Sequence, residues 1–171
     1  VDGHSFAQVK FDQVAVDSQQ IVGPRDSAWD FVSPVLDRAT LALAAEMLGG
    51  ARELLDRTLA YLNDREQFDV KIGSFQALQH RCSQLFCQLE LAQSVTYKGL
   101  SAIDQGQQDV AKLASHAKVM AIDCYQKMSN EAVQMHGGMG ITDEVDIGLF
   151  LKRSRVCNQI LGDSSFHLLS T

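Results

Sequence analysis

The sequence predicts a mainly α protein, an up-down four-helix bundle preceded by a short β remnant. Three observations support this fold class. The only two prolines are Pro24 and Pro34, so no proline interrupts a helix after that point. Beyond Pro34, leucine, alanine and methionine recur at steps of three or four, which is the helical period. The connections between these stretches are short, which makes neighbouring helices antiparallel.

The beginning of the chain carries a different pattern. Between Ser5 and Val22, short runs place apolar residues at every second position, as strands do. Gly23-Pro24 then signals a turn. We therefore expect residues 1–25 to be the end of a β-domain and residues 26–171 to form the helical domain. Because the chain opens on a strand pattern, we expect it to be a fragment of a longer protein.

The first helix is predicted from Ser33 or Pro34 to about Asn63, because proline suits the first helical turn. Gly49-Gly50 lies in its middle and costs about 1 kcal/mol per glycine. Close approach of another backbone or a ligand would explain this pair, and so would a plain kink. The apolar stripe of the helix consists of Leu41, Ala44, Leu48, Ala51, Leu55, Leu59 and Leu62.

Three further helices follow a loop at residues 64–73. The second is predicted at residues 74–103, with Ser74 as its N-cap, and the third at residues 107–135. The fourth is predicted at residues 143–161, after a glycine turn. The stripes of the second and third helices consist of Phe75, Leu78, Cys82, Leu85, Leu89 and Ala92, and of Val110, Leu113, Ala117, Met120, Cys124, Met128, Ala132 and Met135.

Composition narrows the functional classes. The net charge of −6 argues against nucleic acid as the main partner, because phosphate binding needs a basic surface. No run of about 18 apolar residues is present, so we expect no membrane span. No pair of the four cysteines has the spacing of a zinc or redox site. We expect reduced, buried thiols in a cytoplasmic protein.

Two stretches combine residue types that suit a large anionic ligand. Residues 134–144 place three glycines within four positions, directly after the third helical pattern. Glycine ends helices and removes side chains between the backbone and a close neighbour. Residues 65–76 add Arg65, whose charge would attract an anion. Together the two stretches predict a cofactor site.

These residues resemble the C-terminal half of the acyl-CoA dehydrogenase family. Residues 7–16 look like the last strands of the family's middle β-domain. Residues 64–77 (DREQFDVKIGSFQA) are similar to its Arg-x-x-Phe loop and the helix start that follows. Ala117-Lys118 matches the third helix, and residues 134–142 match the Gln-x-x-Gly-Gly-x-Gly turn. The resemblance covers essentially the whole chain.

The resemblance implies an FAD enzyme that removes hydrogen across the α,β-bond of a CoA thioester, in fatty acid or steroid side-chain metabolism. It also implies homologous subunits in a homo- or heterotetramer, and an electron-transfer flavoprotein as the acceptor. In the family, the bundle of one subunit reaches its neighbour's flavin. Arg65 would then contact the FAD pyrophosphate, which a planar, permanently charged guanidinium suits. The alternative is a surface arginine paired with Asp64 or Glu66.

The same resemblance assigns the other cofactor contacts. Gln67 and Phe68 would line the cofactor beside Arg65. Ile72 and Phe75 would pack near the adenine, although both could equally be core residues. The ADP portion would meet the amide of Gln134 and the bare backbone of Gly137 and Gly138.

Several polar residues near the turn are interpreted as structural. The family's chemistry does not require His136, and histidines at helix ends commonly cap carbonyl groups. Glu131, Asp143, Glu144 and Asp146 are interpreted as a solvated face and the acidic start of the fourth helix. We therefore expect no metal site.

The catalytic base of the family is missing from both of its usual places. In most members the base is a glutamate after the fourth helix, and the corresponding segment here puts Gly162 at that position. Other members carry it early in the first helix, where this chain has Ala39. Asp163 and Asp37 are the remaining candidates, but Asp163 has a shorter side chain and Asp37 is turned about 200° away.

Three functional hypotheses follow. In the first, the chain is the base-lacking subunit of a heteromeric dehydrogenase. In the second, it belongs to a homo-oligomeric enzyme that uses Asp163, Asp37 or a residue outside these 171. In the third, it is a non-catalytic helical interaction module without FAD. Retention of the motifs around Arg65 and Gln134 argues against the third.

Overall fold

The computed structural model of the chain describes residues 3 and 5–169. Its helices and strands are α1 (Ala28–Asp64), β1 (Glu66–Gln67), β2 (Val70–Lys71), α2 (Gln76–Asp104), α3 (Val110–His136), α4 (Ile147–Gln159) and α5 (Ser164–Leu169). Single 3₁₀ segments lie at Ser18–Gln20, Ile72–Ser74 and Gly137–Ile141.

Helix α3 lies at the centre of the bundle and packs against each of the other four helices. The core is one cluster of buried side chains, contributed mainly by α1, α2 and α3. Most of the predicted stripe positions are buried there, with Leu59 and Phe75 more than a third exposed. The predicted helical-bundle fold is confirmed, because hydrophobic periodicity is set by the face that each long helix buries.

Helix α1 begins six residues before Pro34, so the prediction that proline opens this helix was wrong. Proline lacks a backbone N–H and therefore removes the hydrogen bond to the carbonyl of Asp30. Pro34 is exposed, and the loss of one hydrogen bond near a helix end is tolerated. The extension places Trp29 and Ser33 on the same helix as the later core residues.

The strands predicted between Ser5 and Val22 do not form in the described part of the chain. This segment is irregular apart from the 3₁₀ turn at Ser18–Gln20, and Phe6 and Phe11 are 78% and 79% exposed. Alternating apolar residues are typical of a half-buried strand. A strand also needs a neighbouring strand to form hydrogen bonds with its backbone. The antiparallel pair that does form is β1–β2, within the predicted loop. The domain boundary at residues 25 and 26 remains a prediction.

The predicted fourth helix is shorter than expected and is followed by a separate helix. It begins at Ile147 instead of Asp143 and ends at Gln159. Leu161 and Gly162 then have positive φ values of 60° and 96°, which no right-handed helix accommodates. The Oδ1 atom of Asp163 accepts the Phe166 amide at 2.9 Å and thereby starts α5.

Two further helix starts and one cysteine differ from expectation. Ser74 lies in a 3₁₀ turn and its hydroxyl donates to the Lys71 carbonyl, so Ser74 does not cap α2, which begins at Gln76. Helix α3 begins at Val110, three residues later than predicted. All four cysteines are free, and Cys87 alone among them is exposed.

The glycine pair inside α1 has a packing explanation. A Cβ atom on Gly50 would lie 2.7 Å from the Tyr125 hydroxyl oxygen, whereas one on Gly49 would meet no atom within 4 Å. Helix α1 continues through both residues. The close approach expected at this pair therefore comes from the side chain of Tyr125 on α3, and it explains Gly50 only.

Candidate cofactor site and the position of the missing base

The hairpin after α1 has a strained turn that presents an aromatic ring outward. Phe68 and Asp69, its two central residues, both have positive φ, 55° and 60°, as in a type I′ turn. Neither residue is glycine, and each costs about 1–2 kcal/mol in this region. Such strain concentrates at functional sites. Phe68 is 86% exposed, and its ring meets Phe75 edge-on with centroids 6.2 Å apart.

Arg65, at the base of this hairpin, has no carboxylate partner among residues 3 and 5–169. The Glu66 carboxylate instead binds Lys71 Nζ at 2.8 Å, across the two strands. Lys71 also donates to the Asp64 carbonyl oxygen at 2.8 Å. The exposed guanidinium of Arg65 is therefore available to an anionic ligand.

The glycine turn offers an open stretch of backbone. Gly137 ends α3 with φ +60°, and a Cβ atom on Gly137 or Gly138 would meet nothing within 4 Å. Gly140 has no such open space, because a Cβ atom added there would lie 2.7 Å from the Val133 carbonyl oxygen. Gly140 therefore packs against α3, while Gly137 and Gly138 leave room for a ligand. Gln134 is exposed on the last turn of α3.

A ring stack joins the two motifs at one end of the bundle. The rings of Tyr61 and His136 lie 4.3 Å apart at an interplanar angle of 23°. Tyr61 precedes Arg65 by one helical turn, and the Arg65 amide donates to its carbonyl at 2.9 Å. His136 directly precedes Gly137, and its Nδ1 donates to the Ala132 carbonyl at 2.7 Å, as expected of a helix-end histidine. Sequence reasoning missed Tyr61, although its position one turn before Arg65 was a usable signal.

The remaining predicted contacts lie near this end with different degrees of exposure. The amide of Gln67 donates to the Glu66 carbonyl at 2.7 Å, so in this arrangement it folds back on its own strand. Ile72 is half-buried against the core, whereas Phe75 is 38% exposed.

The turn between α4 and α5, which corresponds to the position of the family's glutamate, favours glycine at residue 162. Gly162 has φ +96°, a conformation that residues with a side chain rarely adopt. A Cβ atom there would also collide with the ring of Phe166. Asp163, the neighbouring candidate base, uses its carboxylate to cap α5. The turn is therefore built around the absence of a side chain.

Asp37, the other candidate base, lines a cavity of about 340 Å³ between α1, α3 and α5. Thr40, Ser115 and His167 contribute to the same cavity. Burial raises the pKa of Asp37, and the charge of His167 opposes that rise. Ala39, the family's alternative base position, has no titratable group and is not part of this lining.

Two buried side chains that sequence reasoning did not assign hold the end of α4. Lys118 is 0% exposed, and its Nζ donates to the carbonyls of Cys157 at 2.6 Å and Ile160 at 2.7 Å. Burial lowers the pKa of Lys118 to about 8. His167 Nε2 donates to the Leu161 carbonyl at 2.9 Å, and burial lowers the pKa of this histidine.

The acidic residues near the glycine turn are partly engaged in ion pairs. Glu131 pairs with Arg81, and Asp146 pairs with Arg57 at 3.2 Å. Within residues 3 and 5–169, no three His, Cys, Asp or Glu side chains form a group that could hold a metal ion. In the same range, no helix is long and apolar enough to cross a bilayer.

Comparison with known proteins identifies the family. The model of the acyl-CoA dehydrogenase C-terminal domain matches residues 28–170. The chain belongs to the acyl-CoA dehydrogenase family. It is 40% identical over 126 residues to the acyl-CoA dehydrogenase IpdE2 of Mycolicibacterium smegmatis, covering 74% of this chain and 39% of that protein.

Solved acyl-CoA dehydrogenases share the fold. Butyryl-CoA dehydrogenase from Megasphaera elsdenii superposes with a TM-score of 0.89 at 25% identity, covering 94% of this chain and 42% of that one. The Tcur3481-Tcur3483 steroid ACAD, as its G363A variant, gives a TM-score of 0.75 at 31% identity, covering 78% and 37%. The chain thus spans about two fifths of the length of these acyl-CoA dehydrogenases.

Proposed function

We propose that this chain supplies the ADP-side half of the flavin site in an FAD-dependent acyl-CoA dehydrogenase, offered to a neighbouring homologous subunit. The proposal rests on two features that lie together. One is an exposed guanidinium that has no carboxylate partner in the described part of the chain, and the other is an open glycine backbone. Arg65 provides the first and Gly137-Gly138 the second, at the same end of the bundle. A guanidinium suits a diphosphate, and bare backbone admits close approach of a nucleotide.

The other residues of this end fit the same ligand. Phe68 and Phe75 offer apolar ring surface beside Arg65, and Ile72 backs them from the core. Gln134 places an amide beside the glycine turn. When bound, FAD supplies the acceptor for the hydride that leaves the β-carbon of the CoA thioester. This chain's residues would bind and orient the cofactor, and the proposed acceptor of its electrons is an electron-transfer flavoprotein.

Within this function, we assign the chain to the subunit that lacks the catalytic base of a heteromeric enzyme. The positive φ of Gly162 and the adjacent Phe166 ring support this assignment, because they disfavour any carboxylate at that position. The similar Tcur3481-Tcur3483 steroid ACAD is named as a pair of proteins, which also favours a heteromer. The partner subunit would carry the carboxylate that removes the proton α to the thioester.

A second candidate is a homo-oligomeric dehydrogenase with Asp37 as the base. The supporting observation is the cavity that Asp37 lines, where burial raises the pKa of its carboxyl group. A raised pKa brings a carboxylate closer to the range in which a general base works well. Asp163 is less suited, since its carboxylate already caps α5. A helical interaction module without FAD would leave the features of Arg65 and the glycine turn without a role.

The cofactor assignment is tested by changing Arg65→Ala in the full-length protein and measuring FAD affinity. Loss of a charge-assisted contact should weaken binding about 10- to 100-fold. Arg155→Ala is the matched control, because Arg155 is exposed on α4 and donates to Asn130. Equal FAD affinity in both variants would exclude Arg65 from the site.

The subunit assignment is tested by co-expressing the protein with homologues from its own genome and measuring flavin per chain. One FAD per pair of unlike chains supports the base-lacking role. One FAD per chain in an active homo-oligomer would refute it and favour Asp37. In that case Asp37→Asn should abolish dehydrogenation, while Asp163→Asn should leave it largely intact.

A further inference from the structure

The two halves of the proposed flavin site, Arg65 and the Gly137-Gly138 backbone, follow different helices, and a pair of stacked rings lies where the ends of those helices meet. Arg65 follows the C-terminal end of α1, whereas Gly137 follows the C-terminal end of α3. Tyr61 and His136 form the stacked pair that connects these ends, with centroids 4.3 Å apart. A ligand held by both halves therefore depends in part on the geometry of this stack, together with the wider packing of α1 on α3.

Each ring residue is bonded to the half of the site that follows it in the sequence, Tyr61 to Arg65 and His136 to Gly137. The Tyr61 carbonyl accepts the Arg65 amide at 2.9 Å, so Tyr61 and the start of the hairpin move together. His136 is bonded to Gly137 and is fixed by its own contact with the Ala132 carbonyl at 2.7 Å. The Tyr61 hydroxyl also donates to the His136 carbonyl at 3.4 Å, which adds a long hydrogen bond between the two helix ends.

We propose that Tyr61 and His136 are positioning residues that set the spacing between the Arg65 guanidinium and the Gly137-Gly138 backbone. This inference rests on the proposed function. This role requires no contact between either ring and the cofactor. Their stack holds both halves in place before the ligand arrives, so that one nucleotide diphosphate meets them simultaneously without an ordering penalty on binding. Face-to-face ring contact carries most of this effect, and the long hydrogen bond from the hydroxyl carries less.

The test is FAD and ADP binding to the full-length apo-protein, followed by flavin fluorescence and calorimetry. Tyr61→Leu removes the ring and should weaken both ligands about three- to tenfold, the usual worth of an aromatic pair. Tyr61→Phe keeps the ring and should stay within about twofold of the parent. Tyr97→Leu is the matched control, because Tyr97 is 65% exposed on α2. If Tyr61→Leu does not fold, His136→Leu removes the stack from the other side.

A double-mutant cycle separates positioning from a general structural role. If Tyr61 acts by placing Arg65, Tyr61→Leu should have little further effect on FAD affinity once Arg65→Ala is present. Losses that simply multiply would overturn the inference, as would unchanged affinity in both Tyr61→Leu and His136→Leu. An unaltered FAD affinity in Arg65→Ala would instead overturn the proposed function itself, so the two failures are distinguishable.

Discussion

Replacing Lys118 by methionine should change how stability depends on pH. Lys118 is fully buried, and burial lowers its pKa from the ordinary 10.5 to about 8 in the folded chain. Between these values the unfolded state binds more protons than the folded state, so stability rises with pH. From pH 7 to pH 9 the two pKa values give a gain of about 1.3 kcal/mol in the free energy of unfolding.

The methionine variant isolates this contribution. Other groups titrate in the same range, and burial raises the pKa of both Cys124 and Cys157 to about 11, which lowers stability as pH rises. The effect of Cys124 is present in both proteins and cancels in the difference. The charge of Lys118 lowers the pKa of Cys157, so losing this charge in the variant adds to the difference with the same sign. Methionine fills a similar volume but leaves the carbonyls of Cys157 and Ile160 without their donor, so it should also be less stable at every pH, by about 1–3 kcal/mol.

The assay is chemical denaturation at pH 7, 8 and 9, followed by far-UV circular dichroism. Between pH 7 and pH 9, the free energy of unfolding of the parent should rise by about 1.3 kcal/mol relative to that of the variant. Parallel pH profiles for the two proteins would refute the reasoning, because they would mean that Lys118 keeps an ordinary pKa in the folded state. A free energy of unfolding that falls more steeply with pH in the parent would contradict the prediction, because it would mean that folding raises the pKa of Lys118.

The remaining predictions concern glycines. Gly50→Ala should destabilise the chain by about 1–2 kcal/mol, because its Cβ would overlap the buried Tyr125 hydroxyl and this outweighs the gain in helix propensity. Gly49→Ala, the neighbouring control with open space, should stabilise it by up to about 1 kcal/mol, and thermal melting that ranks the two in the opposite order would contradict the packing. Gly162→Ala should cost about 1–3 kcal/mol through its positive φ. Adding Phe166→Ala to this variant should restore only the part of the lost stability that comes from contact with the ring. Full recovery of stability in denaturant titration would show that backbone strain contributes nothing.

The long helices were predictable because each one buries a continuous apolar stripe. Leucine and alanine at helical spacing identified α1, α2 and α3 to within a few residues at most ends. The start of α1 was missed because Pro34 resembles an opening residue, yet an exposed helix can extend backward past a proline. Alternation in residues 5–22 was insufficient for strands, because pairing depends on a neighbour that local sequence does not report.

The candidate site was predictable only in part. Glycine spacing and the arginine motif predicted a nucleotide site at this end of the bundle, and that assignment remains a prediction. Sequence could not show that Lys71 pairs with Glu66, since this pair depends on the hairpin register, or that no described carboxylate then pairs with Arg65. The α4–α5 turn was similarly hidden, because Leu161 is a non-glycine residue at positive φ. His167 on α5 holds the Leu161 carbonyl, and Lys118 on α3 holds that of Ile160.

The central position of α3 has a consequence for how the chain is made. Helix α1 buries its leucines largely against α3, although the two are separated in sequence by the whole of α2. During synthesis, therefore, α1 emerges from the ribosome well before its main packing partner. A product that stops before residue 110 would expose this apolar stripe, which favours aggregation and capture by chaperones. Premature termination anywhere before α3 should thus yield degraded chains instead of a smaller folded bundle.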